Sequence, residues 1–129
     1  MPKGDIPEEV LRFIERRIDS VPHLESLLLL WEKPTASWAE GDIAARVYIS
    51  REQAQGVLRD LARHGLISVT SQVPDRYSYN TAWDESNLMD KVAASYRTHV
   101  VNLAVMIHSR PSSEAVRDFA RAFQFKAED

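Results

Sequence analysis

Apolar and polar positions alternate along this chain with two periods, and the switch between them outlines the elements. Val10, Phe13, Ile14 and Ile18 recur at helical spacing, behind a Pro7 suited to a first helical position and acidic residues suited to a first turn. Pro22 opens a second helix with Leu24, Leu27, Leu28 and Trp31 on one side. Leu29 and Leu30 widen that stripe, and a helix apolar around most of its girth belongs at the centre of a core. Ser37 and Glu40 stand at capping-box spacing before a short helix carrying Ile43, Ala44 and Val47. Ser50 and Gln53 form a second such box, followed by Ala54, Val57, Leu58 and Leu61 at i, i+3, i+4 and i+7. Gly65 closes that helix in the manner of a left-handed cap.

The period then changes to strand-like. "LISVTS", a "QVPDR" turn and "YSYNT" predict a hairpin over residues 67–81. From Asp84 the helical period returns: Leu88, Val92, Tyr96, His99, Leu103 and Met106 predict one helix of about six turns, reaching Ile107. Pro111 stops it, and Ser112 caps a last helix with Val116, Phe119, Ala120 and Phe123 on one face.

Helix, short helix, capped helix and hairpin, in that order, define a winged helix-turn-helix. The expected fold is α+β and mainly α: a winged helix-turn-helix over 22–82, an extra N-terminal helix within 1–21, and two C-terminal helices within 83–129. The stretch "WAEGDIAARVYISREQAQGVLRDLARHGLI" resembles bacterial winged-helix regulators of the multiple-antibiotic-resistance and phenolic-acid-regulator type. The likeness lies in "DIAARVYIS", "VLRDLARHGLI" and the wing, under half of the chain. The flanks "FIERRIDSVPHLESLLLLWE" and "HSRPSSEAVRDFARAFQFK" are similar to parts of a further bacterial winged-helix family that brings no established activity.

In the regulators so resembled, the second helix of the pair enters the major groove. The resemblance implies a cytoplasmic transcription regulator that binds duplex DNA as a homodimer. With Ala54, Val57, Leu58 and Leu61 inward, 100° per residue places Glu52, Gly56, Arg59 and Arg63 outward, flanked by Gln55 and Asp60, with Arg51 nearer the edge. Arg51, Gln55 and Arg59 suit base or groove contacts, and Arg63 and Arg76 suit phosphates. Gly56 on that face either admits a close-approaching backbone or is a tolerated glycine.

Charge weakens the DNA reading. The chain carries a formal charge of −3, and its pI is about 5.8. Between Ala39 and Thr81, Arg46, Arg51, Arg59, Arg63 and Arg76 are balanced by Glu40, Asp42, Glu52, Asp60 and Asp75, with no lysine. Phosphate neutralisation supplies most non-specific affinity, so a monomer with this inventory binds DNA weakly and a dimer doubles the contacts. The alternative is a winged helix that docks its outward face on another protein.

The long stripe of Leu88, Val92, Tyr96, Leu103 and Met106, with Phe119 and Phe123 near it, is expected in a dimer interface. The competing arrangement folds the same helix back on the first helix of its own chain. Trp31, Trp38, Trp83 and Tyr96 either line a small-molecule pocket or are ordinary core and junction residues.

Other chemistry is not indicated. The chain has no cysteine, which removes disulfides, thiolate nucleophiles and Cys-type zinc sites. His23, His64, His99 and His108 include no close helical metal pair, so no metal or other cofactor is expected. There is no phosphate-binding glycine loop or nucleophile elbow, and an enzyme is not expected. The start "MPKGDIPEEV" lacks a signal-peptide core, and the longest apolar run, Leu27 to Trp31, is too short to cross a bilayer.

Overall fold

The structure is a computed structural model describing residues 6–72, 75–84 and 87–109. Its order is α1 (Glu8–Arg17), α2 (Val21–Glu32), β1 (Trp38–Ala39), α3 (Glu40–Val47), α4 (Arg51–Arg63), β2 (Ile67–Gln72), β3 (Asp75–Tyr79), a 3-10 turn at Thr81–Trp83, α5 (Leu88–Thr98) and α6 (Val100–His108). Mainly helical, with a small antiparallel sheet ordered β1-β3-β2, it is a winged helix-turn-helix.

The hairpin forms as the alternation predicts, pairing Ile67 with Tyr79 and Val69 with Tyr77. A register shift between Val69 and Ser71 then kinks the ladder. The third strand, β1, is too short to show a period; Trp38 and Ala39 pair with Tyr77 and Arg76 across the chain. No alternation can announce two residues.

One core runs through the described residues. Val10 and Ile14 of α1, Leu24, Leu27 and Leu30 of α2, Ile43 of α3, Leu58 and Leu61 of α4, and Val92, Leu103 and Ile107 of the last two helices are all fully buried. The helix apolar around its girth, α2, packs against α3, α4, α5 and α6 as well as β3. That position accounts for its composition.

Two local expectations need correcting. The cap of α3 is not the Ser37–Glu40 box: the helix starts at Glu40, and Asp42 Oδ2 accepts from the Ala39 N–H at 3.2 Å. Ser37 is engaged elsewhere, its hydroxyl and carbonyl accepting from Arg76.

The predicted six-turn helix is two helices, broken at His99 with φ −132 and ψ 39. Thr98 Oγ1 bonds back to the Ala94 carbonyl at 3.0 Å, a contact that competes with the helix ladder and bends it. β-branched Val100 and Val101 follow, and stiff χ1 angles lower helix propensity there. The start of α5 is held by Asp84, whose carboxylate accepts from the N–H groups of Leu88 (2.6 Å) and Met89 (3.2 Å). The expected last helix, with Phe119 and Phe123, lies outside the described residues.

Candidate nucleic-acid interface

Helix α4 is fixed on three sides before any partner arrives. At its start Ser50 Oγ accepts from the Gln53 N–H and Gln53 Oε1 accepts from the Ser50 N–H, both at 3.0 Å. At its end the Leu66 N–H reaches the Leu61 carbonyl at 3.0 Å and the Gly65 N–H reaches Ala62 at 2.9 Å. This is a Schellman closure, and Gly65 supplies its φ of +77. The inner face of Ala54, Val57, Leu58 and Leu61 is buried against α2, α3 and β2.

The outward face is what the geometry leaves over. Arg51, Glu52, Gln55, Arg59 and Arg63 are exposed. Their charges are not equally available. Arg51 reaches Glu40 at 3.6 Å and Arg63 reaches Asp60 at 3.0 Å. Among the described residues Arg59 has no ion pair, so its guanidinium is the freest cation on the face. Asp60 turns back toward α2 and receives His23 Nε2 at 2.8 Å. With Arg63 on its other oxygen, this carboxylate is engaged within the fold, which lightens the acidic load on the reading face. Glu52 stays outward.

Arg76 occupies a different setting from its expected role at the wing. Its Nε donates to Ser37 Oγ at 2.9 Å and its Nη2 to the Ser37 carbonyl at 3.0 Å, so part of the fork ties β3 to the segment before β1. A guanidinium has five N–H donors, so the others stay uncommitted. For Gly56, an added Cβ meets nothing within 4 Å. The chain itself does not need a glycine there.

Sequence reasoning missed Tyr48. It closes the turn between α3 and α4 at φ 63, in the left-handed region, where a side chain costs about 1–2 kcal/mol. Its ring is 92% exposed. A glycine at the turn would have been a signal; "VYIS" has none.

The four aromatics considered for a pocket separate. Trp31 and Tyr96 line one cavity of about 370 Å³ with Leu28, Leu29, Val47 and Arg97. Tyr96 donates to Glu25 Oε2 at 2.8 Å, and burial together with that carboxylate raises its hydroxyl pKa above the ordinary value. Trp83 is elsewhere, stacked on Phe13 with centroids 5.3 Å apart, and Trp38 lies buried under Arg46.

The expected interface stripe faces the chain's own core. Val92 and Leu103 are 0% exposed, covered within the chain, and so present no surface to a second subunit. Leu88, Tyr96 and Met106 are partly buried against the same core. A period of three and four shows that a face is covered; it does not say by which chain. Among the described residues the other side of α6 stays open, where Val101 is 69% and Val105 60% exposed.

No protein-family model matches the sequence, and neither does any curated protein. Among solved structures, a MarR family protein from Bacillus stearothermophilus is similar over 94% of this chain and 81% of its own, with a TM-score of 0.50 and 16% identity. A MepR mutant from S. aureus has a TM-score of 0.49 and 15% identity, over 94% of this chain and 88% of its own. The first likeness, at that identity, establishes the class at the level of fold: a winged helix. Around that fold this chain carries, among the described residues, one helix before it, α1, and two after the wing, α5 and α6. No helix among the described residues is long and apolar enough to cross a membrane.

Proposed function

We propose that this chain is a non-enzymatic, cytoplasmic bacterial transcription regulator that binds duplex DNA as a homodimer. The observation that carries the reading is α4. It is capped at both ends and buried on one face, and it presents Arg51, Gln55, Arg59 and Arg63 on the other. Arg59 and Gln55 contact base edges, Arg51 the groove edge, and Arg63 and Arg76 the phosphates. Tyr48 stands beside the start of the reading helix, where a phenolic hydroxyl meets a phosphate.

Dimerisation, for which the segment 83–129 serves, is supported by α6. Its sequence VVNLAVMIH is apolar around most of its girth, while among the described residues Leu103 and Ile107 are its buried side. Val100, Val101 and Val105 remain open and bury themselves against a second copy. A dimer also supplies the doubled cationic contacts that a charge-balanced head needs.

A second reading, docking on another protein, is favoured by one feature: the face is laced with its own pairs, Arg51–Glu40 and Arg63–Asp60. Selection of bound duplexes from a random pool decides between the two. An enriched motif with two half-sites about one helical turn apart is the expected result, and no enrichment at low salt overturns the proposal.

A further inference from the structure

Outside the outward face of α4, one cluster of ligand-type side chains has no role in the reading above. Asp19, on the link between α1 and α2, His23 in the first turn of α2, and Asp60 in α4 each bring one donor atom within 4.8 Å of the others. His23 is 8% exposed, and its Nε2 stands 2.8 Å from Asp60 Oδ2.

We infer that these three residues form a divalent cation site of the Zn2+ class. The donor set is one imidazole and two carboxylates, the mixture that a borderline cation accepts, with water completing four-coordination. The surroundings orient it. Ser20 Oγ lies 2.5 Å from His23 Nδ1, and a metal-binding histidine gives its second N–H to such an oxygen, which leaves the Nε2 lone pair for the metal. Arg63 holds Asp60 through Oδ1, so Oδ2 is the atom turned to the imidazole. Asp19 makes no ion pair among the described residues, so two carboxylates and one arginine leave a negative site around a buried ring. A cation at Nε2 takes the place of the His23–Asp60 hydrogen bond and engages Asp19 as well.

The bound cation joins the beginning of α2 to the last turn of α4. Any consequence for DNA reading rests on the function proposed above; the site does not. Sequence spacing could not show it, because His23 and Asp60 are 37 residues apart.

The test uses the full chain, stripped with chelator, titrated with Co2+ as a spectroscopic probe and then with Zn2+ in competition, without DNA. One equivalent of Co2+ is expected to give the visible absorption of low-coordinate cobalt, which Zn2+ bleaches, and Zn2+ raises the melting temperature. Asp19→Asn leaves the melting of the metal-free protein unchanged and weakens binding by roughly tenfold or more. His23→Gln, which keeps a hydrogen-bonding group beside Asp60, abolishes the absorption. A chain with His64, His99 and His108 all changed to Gln binds as the parent does. Equal binding by parent and Asp19→Asn, loss of binding only in the triple variant, or no saturable uptake overturns the site. Failure of the DNA selection leaves these outcomes untouched.

Discussion

Helix α4 and the α5–α6 pair are written in the same code, apolar residues at threes and fours, yet they meet different fates. In α4 the stripe is enclosed by a capping box at one end and a glycine closure at the other, all within adjacent residues. Local chemistry therefore states both where the helix runs and which side is covered. In α5–α6 Asp84 holds the start, but from Leu88 to Ile107 the stripe runs on without a glycine, and the chain breaks at His99 all the same. Val92 and Leu103 stay on the inner side of both helices, and on both sides of the break the helices pack on α2. Periodicity is complete information about a helix only when the ends are written too.

That contrast can be broken most forcefully in the core. Leu58→Ala in α4 and Leu103→Ala in α6 each remove a fully buried side chain, and each is expected to cost about 2–5 kcal/mol. Denaturant unfolding at two protein concentrations checks this. A Leu103→Ala cost that grows on dilution would return the residue to a subunit interface and undo the comparison.

On the outward side of α4, Arg59→Ala is expected to weaken specific DNA binding by about 1–3 kcal/mol while the melting temperature holds. Fluorescence anisotropy on a selected duplex measures it. Unchanged affinity with a lost protein partner would transfer the face to the docking reading.

The outward side of α6 is sharpened by Val101→Asp with Val105→Asp. Both positions are largely exposed in one chain, so monomer stability should barely move. The dimer should weaken by roughly tenfold or more, as an unpaired charge buried in an interface requires. Sedimentation equilibrium reads the outcome, and an unchanged association constant would remove this face from the interface.

The smallest effect separates packing from approach. Gly56→Ala adds a methyl that meets nothing within 4 Å, so it should raise stability by up to about 1 kcal/mol. If a DNA backbone comes close at Gly56, affinity falls in the same variant that melts higher. If affinity holds, the glycine is merely tolerated.

The sequence alone determined what neighbouring residues can decide. The Ser50–Gln53 box, the buried row of α4, the left-handed Gly65 and the wing all follow from spacings of a few residues, and each is present in the structure. The exposed set on α4 followed from the same 100° geometry. Tertiary structure decided whatever depends on residues far apart in the chain. Strand β1 exists only because Trp38 and Ala39 find Tyr77 and Arg76, and Asp60 leaves the reading face only because His23 comes beside it. Arg51 looks like Arg59 in sequence, but its acid, Glu40 on α3, was located by folding, whereas Arg63 finds Asp60 three residues back on its own helix. The stripe of Leu88 to Met106 shows the limit most clearly. A hydrophobic period measures how much water a face avoids, and water is excluded equally well by the same chain or by another, so only the packed structure could say that α1 and α2 do the covering.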